Sequence, residues 1–232
     1  GPGSKWRVGL WPGGLRSRDP EPIDRRYPHP RVHFSTVYGF SETFVLPISH
    51  DEVVHGKGSL LRKMPGDRWQ QLAGVRAYLA FMWAHPGKQL LFMGSEFAQE
   101  AEWSEGRSLD WWLMDLPDHR GVAELVKDLN AVYRATPALW QLDTDPAGFH
   151  WIDANDAPGN VFSFLRFVPD GSALACLATF AGVPTGGSHV GRPWHGTGTG
   201  GLQPAARSSP GSARGLRWWS LPRCRAPRRA RR

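Results

Sequence analysis

Four consecutive polar residues, Ser49-His50-Asp51-Glu52, close the apolar run Phe44–Ile48. A core strand ordinarily exits into turn residues, so a cluster with two carboxylates beside an imidazole is either solvated or used. Used, Asp51 accepts hydrogen bonds from hydroxyl groups, and His50, neutral or charged, donates to another. Solvated, the two are a loop pair in which Asp51 caps the next turn. His55 has no partner at metal-ligand spacing, and the isolated Cys176 and Cys224 form neither a metal pair nor a disulfide framework. No metal or other cofactor is expected.

Such a cluster needs a scaffold, and the periodicity supplies one. Residues 44–48 read as a strand. Pro65-Gly66-Asp67 forms a turn with Asp67 as N-cap. Leu72, Val75, Leu79, Met82 and Trp83 then recur at helical spacing, which predicts a helix over 68–85, ended by His85-Pro86-Gly87. Residues 88–97, "KQLLFMGSEF", form a short apolar run stopped by Gly94, as in a strand buried on both faces. Val122, Leu125, Val126, Leu129, Val132 and Tyr133 mark a second helix over about 119–135. Alternating strand and helix predicts βα units with parallel strands, which place chemistry in the loops at the C-terminal strand ends. Both strands end in polar clusters there, Ser49–Glu52 and Ser95-Glu96. At such an end, Asp51 suits a sugar hydroxyl.

From about Phe149 the pattern changes to short β-rich runs, "FHWIDA", "VFSFLRFV" and "ALACLATFAG", separated by Asp-Ala-Pro-Gly and Pro-Asp-Gly turns. These predict antiparallel strands of a second, all-β unit.

Composition sets the outer limits. The chain has 232 residues, 41% of them apolar, enough for one large domain or two small ones. No run reaches the roughly 18 apolar residues of a membrane span, and no leader pattern opens the chain. A cytoplasmic setting and no membrane partner are expected. Gly1-Pro2-Gly3-Ser4 reads as a protease-cleavage scar. The net charge of +7 is unevenly spread: Arg192 to Arg232 holds ten Arg and no acidic residue, leaving 18 basic and 21 acidic residues upstream. That last stretch lacks helical or strand periodicity, so it is expected to be disordered. It reads either as an Arg-rich arm for polyanions or as GC-rich sequence translated out of frame. Without a recognition motif, no specific nucleic acid is expected.

The residues from Phe44 to about Phe167 closely resemble the bacterial glycogen (1,4-alpha-glucan) branching enzymes of the alpha-amylase superfamily. The resemblance is carried by "FVLPISHDEVVHGKGSLLRKMPGDRWQQLAGVRAYLAFMWAHPGKQLLFMGSEFAQEAEWSEGRSLDWWL", "HRGVAELVKDLN" and "TPALWQLDTDPAGFHWIDANDAPGNVFSF". "RRYPHP" (25–30) and "FSTVYGFSETF" (34–44) are similar to the family's approach to its seventh barrel strand.

The resemblance implies an α/β fold. Residues 5–142 would be the C-terminal part of a (β/α)8 barrel, with strands seven and eight and their helices. Residues 143–190 would begin an antiparallel β-sandwich; by composition, 191–232 is the Arg-rich, frameshift-like tail that follows it. The resemblance implies that His50 donates to the sugar at the cleavage subsite, while Asp51 holds its hydroxyls and stabilises an oxocarbenium-like transition state. The implied substrate is an α-1,4-glucan, whose segment is transferred to a 6-hydroxyl. The family's aspartate nucleophile and glutamate acid/base follow strands four and five, upstream of every residue matched here. Asp51 and Glu52 cannot replace them, because neighbours on one strand end cannot flank a glycosidic bond from opposite sides. A family Trp-Met-His-Asp is also replaced by Leu-Trp-Pro-Gly-Gly near residues 10–16. The expectation is therefore a chain without catalysis of its own. The alternatives are a glucan-binding remnant, a partner for a missing N-terminal half, or a basic-tailed nucleic-acid-binding protein.

Overall fold

The computed structural model describes residues 5–6, 44–48, 53–54, 56–156, 161–180, 199–201 and 215–221. Strand β1 (Lys5–Trp6), β2 (Phe44–Ile48) and β3 (Lys88–Leu91) form a parallel sheet in that order, with Val45 opposite Lys88 and Ile48 opposite Leu91. Helix α1 (Arg68–Ala84) makes the crossover from β2 to β3, so the predicted βα alternation is present. The Lys5–Trp6 strand adds a parallel neighbour that two residues of sequence could not announce.

Helix α1 starts where the turn chemistry places it. Asp67 accepts from the Gln70 N–H (2.8 Å), and the Gln70 side-chain oxygen accepts from the Asp67 N–H (3.1 Å), a complete capping box. Thirteen consecutive residues from Leu72 to Ala84 are buried. A helix buried all round must have neighbours on every side. Here these are β2, helix α2 (Pro117–Ala135) and the second sheet. Pro117 occupies the first turn of α2, where its missing N–H costs nothing. His119, Val122, Leu125, Val126 and Leu129 form the buried stripe of α2.

The third parallel strand is shorter than the apolar run suggested. It ends at Leu91, and Ser95–Phe97 is a 3-10 turn. Gly94 adopts φ +86°, a conformation that takes the chain out of the strand. Nor is β3 buried on both faces: Lys88 is exposed and Gln89 to Leu91 only half-buried. Among the described residues β3 is the edge of its sheet, which leaves its far side uncovered.

The second sheet is antiparallel, with β4 (Phe149–Asp156), β5 (Val161–Phe167), β6 (Ala173–Thr179), β7 (Thr199–Gly201) and β8 (Gly215–Leu221) in the order β4-β5-β6-β8-β7. All of β5 is buried. Phe162 and Phe164 face α1, where the Phe81 ring packs against both, while Leu165, Phe167 and Ala173 form a cluster with Leu142 and Ile152. The stretch expected to be disordered supplies two strands. β8 pairs with β6 over seven residues, from Gly215 opposite Thr179 to Leu221 opposite Ala173. An Arg-rich composition does not prevent this, because "LRWWSL" offers strand-compatible residues to an open edge of β6.

Where the two sheets meet, buried polar groups bridge them. Arg166, wholly buried on β5, donates to Asp143 (2.6 Å), to the Ala84 carbonyl at the end of α1 (2.8 Å) and to the Leu139 carbonyl (3.0 Å). Asp143 also accepts from the Gly87 N–H (3.3 Å) and from Lys88 Nζ (2.8 Å).

Candidate functional site

The loops leaving β2 and β3 emerge on the same side of the parallel sheet, because parallel strands share their C-terminal ends. His50, Asp51 and Glu52 lie outside the described residues, as does His55. Their flanks are described. Ile48, the last residue of β2, is fully buried, and Val53 is buried on the far side of the cluster.

From Val53 onward the loop is stitched to the loop that follows β3. The Trp103 N–H donates to the Val53 carbonyl (3.0 Å), and Val54 and Trp103 form a parallel bridge. One residue earlier, the Glu102 carboxylate accepts two backbone N–H groups, from Gly56 (3.0 Å) and Gly58 (2.6 Å). Both glycines have positive φ, +78° and +74°. Arg107 donates to the Glu102 carbonyl at 2.7 Å, and the Trp103 ring meets Phe92 edge-on with centroids 5.2 Å apart. Val53, Ser59, Leu60, Gly94, Ser95 and Gln99 line a small cleft between the two loops.

The β3 loop is held from within by Gln99, whose side chain accepts from the Asp110 N–H (3.0 Å) and donates to the Ala101 carbonyl (3.2 Å). On its other side lies buried His119 of α2. Arg68 can only donate, so its 2.6 Å contact makes His119 Nε2 an acceptor, and the proton sits on Nδ1, donating to the Phe97 carbonyl at 2.8 Å. Arg68 also forms an ion pair with Glu100. Of the second polar cluster expected from sequence, Ser95 is buried and Glu96 half-buried in the 3-10 turn after β3. The side chains of Trp111 and Trp112 are exposed at the end of this loop.

Sequence reasoning missed Glu102. Its partners are backbone groups 44 and 46 residues away, and no local pattern announces them. Among the described residues no group of His, Cys, Asp and Glu could hold a metal ion. No described helix is long and apolar enough to cross a membrane.

No protein-family model matches the chain. It is 60% identical over 197 residues to the 1,4-alpha-glucan branching enzyme of Frankia casuarinae, covering 84% of this chain and 24% of that protein. The branching enzymes of Leifsonia xyli and Thermobifida fusca are 59% and 55% identical over 194 residues each, again covering 84% of this chain and 26% of theirs. Among solved structures, Amy13B of Eubacterium rectale superimposes with a TM-score of 0.56 at 14% identity, covering 94% of this chain and 47% of that one. AmyP in complex with maltose gives a TM-score of 0.55 at 16% identity, covering 76% and 39%. These structural likenesses place the chain in an alpha-amylase-type fold, and the sequence matches are far closer. By sequence the chain is a homologue of the bacterial 1,4-alpha-glucan branching enzymes, spanning about a quarter of their length.

Proposed function

We propose that this chain carries the sugar-gripping side of a branching-enzyme active site at the C-terminal ends of β2 and β3, and forms no α-1,6 branches by itself. The observation that carries the reading is the identity of 55–60% to branching enzymes across most of the chain. The parallel strands with cross-linked loops support it, because this is where such a fold keeps its chemistry.

In this reading β2 and β3 are neighbouring strands of a (β/α)8 barrel. His50 donates to a hydroxyl of the sugar whose bond breaks. Asp51 accepts from its hydroxyls, and its negative charge stabilises the positive charge that develops on the sugar ring. Both hydrogen bonds already hold the sugar in the ground state and strengthen as that charge grows, so they contribute to binding and further lower the barrier. Breaking the α-1,4 bond with retention also needs a carboxylate nucleophile and an acid/base, with carboxyls roughly 5–5.5 Å apart. Asp51 and Glu52 are adjacent in sequence and, in this reading, cannot flank the bond as that pair. In this reading the family's own pair follows strands four and five, upstream of the residues that carry the resemblance.

The test is a maltoheptaose titration of the full 232-residue chain, read by tryptophan fluorescence, alongside an amylose-branching assay read by debranching and reducing ends. Saturable binding that His50→Ala and Asp51→Asn each weaken, without any new α-1,6 linkage, is the expected result. Binding indifferent to both substitutions would leave His50 and Asp51 as a solvated loop pair. Branching by the pure chain would show that it holds a complete catalytic set.

A further inference from the structure

We propose that Glu102 is a positioning residue for the loop after β2, fixing it by gripping two backbone N–H groups with one carboxylate. The proposal rests on the glucan-gripping role given to that loop above. Gly56 and Gly58, both of positive φ, direct their N–H groups at one carboxylate, while the Lys57 N–H between them donates to the Val54 carbonyl. That carboxylate is Glu102, with Oε2 on Gly56 and Oε1 on Gly58. A side chain at Gly56 would meet nothing within 4 Å, so backbone conformation rather than space calls for glycine there. The neighbouring Trp103 N–H holds the Val53 carbonyl. The loop is thus anchored at Ile48 by the sheet, and at Val53, Gly56 and Gly58 by the β3 loop. Only the four residues 49–52, including His50 and Asp51, span the interval between anchors.

A carboxylate suits this task and an amide does not. It accepts through both oxygens, whereas Glu102→Gln offers one acceptor and turns an NH2 against the second N–H. A charged acceptor also bonds about twice as strongly as a neutral one. Misplacing a binding group by an ångström costs up to about a hundredfold in function, so losing this grip should reach the sugar.

The experiment uses the full chain, labelled with 15N, with maltoheptaose as probe. In Glu102→Gln the Gly56 and Gly58 amide proton signals should move upfield together. The dissociation constant for maltoheptaose should rise about tenfold or more, and the melting midpoint should shift by only a few degrees. Gly56→Ala keeps the carboxylate but opposes the φ it needs, and should weaken the sugar to a similar degree. Unmoved glycine signals in Glu102→Gln would overturn the clamp. Moved signals with unchanged maltoheptaose affinity in both variants would overturn the positioning role. If the unaltered chain binds no maltoheptaose, the functional reading falls separately. The glycine signals then decide alone whether Glu102 anchors the loop.

Discussion

Arg166 Nη2 lies 2.6 Å from Asp143 Oδ1, with side-chain exposures of 0% and 4%. The pair joins the antiparallel sheet to the end of α1 and the start of β3, because each partner also bonds main-chain groups there. Buried ion pairs earn their place only when both members are present and hydrogen-bonded. Asp143→Ala strands a buried guanidinium and should lower unfolding free energy by about 3–5 kcal/mol, as should Arg166→Met. The double variant Arg166→Met/Asp143→Leu should recover much of that loss. A urea-unfolding cycle measures this, and fully additive losses would show that the pair does not act as a unit.

The same network sets an alkaline limit. Partial desolvation alone would lower the pKa of Lys88, whose side chain is about half exposed, but hydrogen bonds to Asp143 and Tyr133 outweigh it and leave the ammonium above its ordinary value. Burial is the main cause of the raised pKa of Tyr133, partly opposed by Lys88. Both groups hold their protons more tightly folded than unfolded. Their stabilisation is therefore full below about pH 10 and is lost as pH rises through the folded values. Urea midpoints should fall between about pH 9 and 12, and fall less in Lys88→Met/Tyr133→Phe. Equal slopes for the two proteins would remove this network as the cause.

The start of α1 offers a smaller test. Asp67→Ala removes the side chain that accepts the Gln70 N–H and should cost about 1 kcal/mol. Gln70→Ala should cost less, because the Asp67 N–H it leaves can reach solvent. Urea unfolding of both variants would reverse the interpretation if Gln70→Ala proved the costlier.

Asp67 was legible because a capping signal is local: a turn, an acidic residue, then an apolar period. Helices α1 and α2 and the turn before β6 were readable for the same reason. Arg166 was not. In "VFSFLRFV" a strand period puts arginine on the face of Phe162 and Phe164, which a sequence reader would not choose for a charge. Asp143, 23 residues away, and the Ala84 and Leu139 carbonyls make that placement tolerable. The exit of β3 was misjudged because an apolar run does not reveal where Gly94 takes positive φ. Glu102 was invisible because its partners are main-chain groups, which carry no residue type. The β8 strand was hidden by composition, since the arginines around it outweigh six strand-compatible residues.

That strand separates two properties of residues 192–232. Ten arginines in a stretch with no acidic residue should bind polyanions by counterion release, with log K falling linearly with log salt and no dependence on residue order. Deleting the stretch should abolish that binding, since the remainder holds more acidic than basic residues. Pairing with β6 does depend on order. Cys176 lies on β6 opposite Trp218 and is buried, and its burial pushes the thiol pKa up to about 12 despite nearby Arg166. It should therefore resist a thiol reagent near neutral pH while β8 is in place. In a Cys224→Ser background, scrambling residues 192–232 should leave polyanion affinity unchanged yet make Cys176 reactive. A scrambled chain with Cys176 still protected would show that β8 does not shield that face. A scrambled chain with lost polyanion affinity would show instead that residue order matters to binding, and would favour a nucleic-acid arm over a sheet strand.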